Sequence, residues 1–156
     1  MPQHNVILLL GSNIQPEKNI PRALGLIAEH LPIQAQSRIW ETKAVGSRGP
    51  NFLNVAVQVA TNLDAAGVKE AITRPIENQL GRIRSADKFM PRTMDIDVIV
   101  FDDQILDENL WKKAFTAIPV SELAPELTCP ANGKSLKEIA AELKSSAFAE
   151  PFEPGS

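Results

Sequence analysis

Two aspartates, Asp95 and Asp97, stand two residues apart in the stretch 93–101, Thr-Met-Asp-Ile-Asp-Val-Ile-Val-Phe. Its β-branched and apolar residues predict a β-strand. Because side chains two residues apart in a strand share a face, both carboxylates are expected on one face, with α-carbons roughly 6.6 Å apart. Such carboxylates repel each other unless a cation joins them, and Mg²⁺ typically takes one or two carboxylates together with phosphate oxygens. The opposite, buried face is predicted to carry Met94, Ile96, Val98 and Val100.

Basic residues precede this strand and suit a phosphate group. Arg82, Arg84 and Arg92 carry planar guanidinium groups that match phosphate oxygens. Residues 74–92 hold five basic and two acidic side chains, a net charge of +3, in a chain whose formal net charge is −3. Carboxylates and arginines together predict magnesium-dependent phosphoryl chemistry on a nucleotide. The alternative, two solvated carboxylates beside a surface patch of arginines, stays open on the residues alone.

Length and composition predict one globular domain. The chain has 156 residues, 44% of them hydrophobic, and we assign residues 1–144 to this domain and residues 145–156 to a disordered tail. The negative net charge argues against a general nucleic-acid binder. The apolar run Val6–Leu10 is too short for a signal peptide or a membrane span. We therefore expect a cytoplasmic monomer whose partners are small molecules, with no nucleic acid and no membrane among them.

The predicted elements follow the order β-α-β-β-α-β, which is typical of the split βαβ, ferredoxin-like fold. The fold class is therefore predicted as α+β, a sandwich of an antiparallel or mixed sheet with helices on one face. The other face is left for a ligand. The predicted strands are 6–10, 33–40, 52–59 and 93–101.

Prolines affect the first two predicted helices. The first helix is expected to begin between Pro16 and Pro21, since a proline in the first turn leaves no helical hydrogen bond unmade. The second is predicted over 64–80, beginning at an aspartate cap. Pro75 lies inside it and is expected to bend or break it. A further helix is predicted over 135–143.

Polar and aromatic residues are predicted on the ligand face of the sheet. In the strand 52–59, the alternating leucine and valines form the core face, which leaves Phe52 and Asn54 on the face of the aspartates. Asn54 needs a hydrogen-bond partner there, because an unpaired buried amide is costly. For Phe52, and for Phe115 farther along the chain, the alternative to a ligand contact is an ordinary position in the hydrophobic core.

Several short motifs occur along the predicted elements at a characteristic spacing. Through them the chain resembles the 6-hydroxymethyl-7,8-dihydropterin pyrophosphokinase family over residues 5–127. The arginine motif and the aspartate motif are the most specific to that family. The motifs are Gly11-Ser12-Asn13, Glu41-Thr42, Phe52-Leu53-Asn54, Glu77-x-x-x-Gly81-Arg82-x-Arg84, Pro91-Arg-Thr-Met-Asp-Ile-Asp-Val-Ile-Val-Phe101 and Ala124-Pro-Glu-Leu127.

The resemblance implies an enzyme of folate biosynthesis that transfers diphosphate from ATP to the hydroxymethyl oxygen of the pterin and releases AMP. Asp95 and Asp97 would hold two Mg²⁺ ions, with ATP as co-substrate. The catalytic residues implied are Arg82, Arg92, Asp95 and Asp97. The ATP contacts implied are Glu77, Arg82, Arg84, Arg92 and Val98. The pterin contacts implied are Thr42, Gly46, Phe52, Asn54, Phe89, Asp95 and Phe115.

The chain also departs from the family pattern. The segment 102–114 is shorter than is usual and lacks a family histidine, while Lys112 or Lys113 stands near a usual arginine. Phe89 replaces a tryptophan, and Lys43 replaces a common proline. Two alternatives follow: a paralogue with weakened activity or a related pterin as substrate, and a ferredoxin-like binding module without catalysis.

Overall fold

The computed structural model describes residues 3–43, 50–81 and 94–153. Within these ranges, seven strands form one antiparallel sheet in the order β6-β5-β1-β4-β3-β7, with β2 also paired to β4. The predicted α+β class and antiparallel sheet are confirmed. The strands are β1 (His4–Ser12), β2 (Ile33–Gln36), β3 (Ile39–Thr42), β4 (Phe52–Thr61), β5 (Asp95–Phe101), β6 (Gln104–Ile105) and β7 (Ala149–Phe152).

Five α-helices and two short helical turns accompany the sheet in the described part of the chain. None of these helices is long and apolar enough to cross a membrane. The helices are α1 (Pro16–His30), α2 (Ala65–Val68), α3 (Arg74–Gln79), α4 (Ala114–Leu123) and α5 (Leu136–Ser146). The turns are a π-helical turn, Lys69–Thr73, and a 3-10 turn, Glu108–Trp111.

Strand β1 lies in the centre of the sheet and is buried on both faces. It pairs with β4 on one side and with β5 on the other. Val6, Leu8 and Leu10 pack beneath α1, α2 and α3, whereas Ile7 and Leu9 pack on the side of α4. Burial on both faces explains why the strand is an unbroken apolar run.

Helices cover both faces of the sheet, although the sequence predicted helices on one face only. Helix α4 packs on the sheet face opposite α1, in the region of Trp40 and Ala56, and α5 packs on α4. Sequence patterns miss α4 because its middle, residues 116–120, is buried all round and therefore shows no polar stripe. Among the described residues, the part of this face nearer to Asp95 borders a cavity.

Two predicted segments differ from the structure at the edge beyond β4. The strand predicted over 33–40 is interrupted at Ser37, whose backbone N–H donates to the Ala56 carbonyl while its hydroxyl accepts from the Ala56 N–H, both at 2.9 Å. The predicted disordered tail begins within α5 and contains β7, which pairs with β3, so its described part, up to Glu153, is regular structure. Periodicity cannot reveal a four-residue edge strand that contains a proline.

Helix α1 continues through Pro21, whereas the helix predicted over 64–80 changes its geometry before Pro75. Helix α1 begins at Pro16, earlier than predicted, and includes Pro21. Before Pro75, the Arg74 N–H bonds to the Lys69 carbonyl five residues back, which closes the π-helical turn. Since proline has no N–H for the usual bond, this wider turn is the interruption that the sequence predicted.

A β-bulge divides strand β5. Val98 lies opposite Leu8, but Val100 lies opposite Ile7, so Ile99 is an extra residue. Ile99 and Val100 therefore both pack on the side of α4, while Val98 stays on the side of α1. The predicted common face of Val98 and Val100 is wrong for this reason, because a bulge reverses the alternation beyond it.

Asp102 fastens the turn after β5 to the start of β1. Its carboxylate accepts a hydrogen bond from the Asn5 N–H at 2.9 Å and lies 2.7 Å from His4 Nδ1, while its own N–H donates to the Asn5 carbonyl at 2.7 Å. The residue has φ of 53°. The Asn5 N–H and then the His4 hydrogen bond hold the pKa of Asp102 below its ordinary value.

This contact predicts a pH-dependent stability. Because the folded-state pKa of Asp102 is lowered, its contribution is complete above the unfolded-state pKa and is lost as the pH falls through the folded-state value. We expect Asp102→Asn, which tolerates the left-handed conformation, to be less stable than the wild type at neutral pH. The difference in the free energy of unfolding between the wild type and Asp102→Asn should shrink in acid.

Urea unfolding between pH 2 and pH 7 measures this difference. Asp103→Asn is the matched control, because Asp103 is an exposed neighbour. A stability difference between the wild type and Asp102→Asn that does not change with pH would contradict the assignment.

Candidate active site

Strand β5 carries Asp95 and Asp97 on the sheet face opposite α1 and α3. Ile96 and Val98 point into the core beneath those helices, so the aspartates point to the other side, as the alternation predicts. Asp95 is half-buried and Asp97 is exposed. In the register of the sheet, Asp95 lies opposite Gly11.

A buried polar pair lies on the same face, on the other side of β1. The Asn54 Nδ2 donates to the Thr42 hydroxyl at 2.7 Å, and the two residues are only 3% and 4% exposed. Thr42 thus supplies the partner that an amide in an apolar strand requires. This bond fixes the plane of the Asn54 amide.

Gly11 separates Asn54 from Asp95 and is absent from the predicted site residues. It pairs with Asn54 in β4 and with Asp95 in β5. A Cβ atom at Gly11 would lie 3.0 Å from Asn54 Oδ1 and 3.7 Å from Phe52 Cδ1. A side chain here would therefore press on the amide. A glycine at the end of an apolar strand is the signal, since it often marks close approach of a neighbouring group.

One cavity gathers most of the predicted residues that the structure describes. It combines two carboxylates, a fixed amide and two phenylalanine rings, a set that suits a flat heterocycle with a polar edge. Phe115 enters this cavity from the first turn of α4. The lining residues are Leu9, Gly11, Thr42, Lys43, Phe52, Asn54, Asp95, Asp97 and Phe115.

A basic groove adjoins this cavity. Thr42, Lys43 and Phe115 line both spaces, and the groove has a volume of about 560 Å³. Lys112 and Lys113 stand at its wall, where the 3-10 turn leads into α4. The remaining lining residues are Ala114, Leu143, Ser146, Ala147 and Phe148.

Glu77 and Val98 have side chains outside this cavity. Val98 is 4% exposed and belongs to the core beneath the helices. Glu77 is 3% exposed, and its Oε2 accepts a hydrogen bond from the Ile96 N–H at 2.8 Å. Glu77 therefore contacts the backbone between the two aspartates. Direct contacts of Glu77 and Val98 with a nucleotide stay predictions.

The remaining predicted site residues lie outside the described ranges. In residues 3–43, 50–81 and 94–153, there is no cluster of three or more histidine, cysteine, aspartate or glutamate side chains that could hold a metal ion. A cation at Asp95 and Asp97 would thus need oxygen ligands from a substrate, from water or from the rest of the chain. The predicted residues outside the described ranges are Gly46, Arg82, Arg84, Phe89 and Arg92.

Comparison with known proteins identifies related sequences and a related fold. The profile of the 7,8-dihydro-6-hydroxymethylpterin-pyrophosphokinase (HPPK) family matches residues 7–125. A Pseudomonas aeruginosa protein is 32% identical over 149 residues, covering 87% of this chain and 90% of its own length. An Aquifex aeolicus protein is 31% identical, with coverages of 88% and 91%. Both are named 2-amino-4-hydroxy-6-hydroxymethyldihydropteridine pyrophosphokinase.

A solved structure shares the fold. The crystal structure of wild-type Plasmodium falciparum HPPK-DHPS with pteroate superposes with a TM-score of 0.70 at 12% identity. The match covers 92% of this chain but 43% of that one, so the present chain spans less than half of its length. On the profile match and the two sequence relatives, the chain belongs to the 7,8-dihydro-6-hydroxymethylpterin-pyrophosphokinase family.

Proposed function

We propose that the protein transfers diphosphate from ATP to the hydroxymethyl group of 6-hydroxymethyl-7,8-dihydropterin in folate biosynthesis. One observation carries this proposal beyond family membership. The Asn54–Thr42 pair and the Asp95–Asp97 pair line the same cavity, between Phe52 and Phe115. A heterocycle held by the amide therefore has its substituent within reach of the carboxylates.

The polar pair would orient the pterin. With its Nδ2 bonded to the Thr42 hydroxyl, the Asn54 amide can offer its oxygen and its second N–H to the polar edge of a pterin. Phe52 and Phe115 would enclose the ring faces. A site built to bond a polar edge rejects ligands that lack one, because its own buried groups are then unpaired. Gly46 and Phe89 are proposed to complete the pocket.

The aspartates would hold Mg²⁺, and we propose two ions. Two carboxylates without a third side-chain ligand in the described ranges fit Mg²⁺, which keeps waters and takes phosphate oxygens as further ligands. When bound, the ions neutralise phosphate charge and make the attacking hydroxyl more acidic. Arg82, Arg84 and Arg92 are proposed to bind the triphosphate.

The reaction requires positioning rather than a protein nucleophile. The pterin hydroxymethyl oxygen attacks the β-phosphorus of ATP and loses its proton. The bond between the β-phosphorus and the oxygen that bridges to the α-phosphorus breaks, and AMP leaves with that oxygen. Asn54 and Thr42 hold the nucleophile's ring, while the arginines hold the electrophile in line. We also propose that the protein acts on these small molecules as a monomer in the cytoplasm, without nucleic acid or membrane.

The first prediction from this mechanism tests the carboxylates. We expect Asp95→Ala and Asp97→Ala to lower kcat about a thousandfold, or about 4 kcal/mol, because the phosphate charge is no longer neutralised. The fold should persist, since Asp97 is exposed and Asp95 is half-buried. AMP formation from ATP and Mg²⁺, with and without the dihydropterin, is the measurement.

Asp103→Ala is the matched control, because Asp103 is an exposed aspartate just beyond β5. Near wild-type turnover in Asp97→Ala would sink the metal assignment. A wild-type protein that binds the pterin but forms no AMP would favour the binding-module alternative.

The second prediction concerns the lysines at the basic groove. If the family histidine and arginine contacts are missing, Lys112 or Lys113 is expected to supply one charge-assisted contact to the triphosphate. Removing both with alanine should weaken the affinity for a non-hydrolysable ATP analogue about 10- to 100-fold, since a charge-assisted contact contributes about 1.5–3 kcal/mol. Affinity for the pterin should not change. Calorimetric titration measures both ligands.

Lys69→Ala combined with Lys137→Ala, which removes two exposed lysines that line neither space, is the control for net charge. Tight ATP-analogue binding that survives the loss of Lys112 and Lys113 would show that other residues supply the contacts. The paralogue with weakened activity, our second candidate, would instead combine normal pterin affinity with poor ATP affinity already in the wild type.

The third prediction distinguishes two roles for Glu77. We expect Glu77→Ala to lower the free energy of unfolding by about 1–3 kcal/mol and to reduce turnover, because the Ile96 N–H loses its acceptor between the two aspartates. Glu77→Gln keeps an acceptor oxygen and should retain most of the wild-type stability and turnover. If Glu77 contacts the nucleotide instead, Glu77→Gln should raise the KM for ATP with unchanged stability in urea unfolding.

A further inference from the structure

Glu122, near the end of α4, joins this helix to β3 and to Arg38, the residue just before it, by several hydrogen bonds. The Arg38 N–H donates to its Oε1 at 2.9 Å, and the Arg38 Nε and Nη2 each lie 2.8 Å from its Oε2. The Trp40 Nε1 donates to Oε1 at 3.2 Å. Burial raises the pKa of Glu122, but these bonds outweigh burial and keep the pKa below its ordinary value. The Glu122 carboxylate is therefore charged and accepts hydrogen bonds from Arg38 and Trp40.

Trp40, one of the two donors, is itself held from several sides. It is 2% exposed. The Arg38 guanidinium lies 4.8 Å and the Lys144 ammonium 5.1 Å from its ring centroid. In the sheet, Trp40 lies opposite Asn54. Trp40 thus contacts α5 through Lys144, pairs with β4 in the sheet and bonds to α4 through Glu122.

The spacing along each element relates this contact to the candidate cavity. Phe115 and Glu122 are seven residues apart in α4, which places them on one helix face about 10.5 Å apart. Trp40 and Thr42 are two residues apart in β3 and share one strand face. Glu122 meets Trp40 at one end, and Phe115 and Thr42 line the same cavity at the other.

We infer that Glu122 is a positioning residue that holds α4 against β3 and so sets the distance between Phe115 and the Thr42–Asn54 pair. The inference rests on the proposed function, because this distance is the width of the proposed pterin pocket. Glu122 does not line the cavity and contacts no reacting atom. Its effect should therefore appear in pterin affinity, while ATP affinity and the chemical step depend on other residues.

Glu122→Gln tests the inference, since it keeps the shape of the side chain and removes its charge. We expect the Kd and KM for the dihydropterin to rise about tenfold, the equivalent of one lost charge-assisted hydrogen bond. The KM for ATP and the kcat should stay within about twofold of wild type. Glu126→Gln, an exposed glutamate just beyond α4, is the matched control and should leave all constants unchanged.

A double-mutant cycle shows whether the contact acts as a unit. Arg38→Gln should raise the pterin Kd by a similar factor, and the double variant should lose no more than either single one. If Glu122→Gln does not fold, Trp40→Phe, which removes one donor and keeps an aromatic ring, should show the same selective effect on pterin.

Two results overturn the inference: an unchanged pterin Kd in folded Glu122→Gln, or parallel changes for pterin and ATP, which indicate a general loss of stability. A wild-type protein that forms no AMP from ATP and the dihydropterin would instead overturn the proposed function. Calorimetric pterin titration does not depend on turnover, so the two failures are distinguishable.

Discussion

The pairing of β1 with two neighbours at Gly11 determines the geometry of the candidate site. Hydrogen-bonded strands lie about 4.8 Å apart, so pairing on both sides brings Asn54 and Asp95 across a single strand from each other. Between them a Cβ would press on the Asn54 amide, and only glycine leaves that space open. The Asn54 amide and the carboxylates are therefore juxtaposed by the strand pairing of the sheet itself.

Two glutamates act on this sheet from outside its strand pairing. Glu77 bonds to the backbone between the aspartates from α3, and Glu122 bonds to Arg38 and Trp40 from α4. Glu77 accepts from the buried Ile96 N–H and Glu122 accepts from the partly buried Trp40 Nε1, and a lost acceptor is costly at such donors. The helices thus do more than cover apolar faces, because each fixes a strand that contributes to the cavity.

Much of this arrangement follows from residue patterns, and the exceptions have physical reasons. The face shared by Asp95, Asp97 and Asn54, and the split βαβ order, follow from strand alternation and element order. Helix α4 is missed because its middle, residues 116–120, is buried all round and shows no polar stripe. Phe115 therefore enters the predicted site only through family resemblance. Gly11 is missed because a close approach between strands depends on register, which a single strand does not reveal.

The bulge at Ile99 has a consequence for how this fold tolerates change. The bulge accommodates an extra residue between Val98 and Val100. The alternation of side chains that orients Asp95 and Asp97 therefore does not depend on the register of the residues after Val100. The segment 102–114, which contains β6 and the 3-10 turn, lies beyond that point. Insertions and deletions in that segment can therefore accumulate during evolution without turning the aspartates into the core.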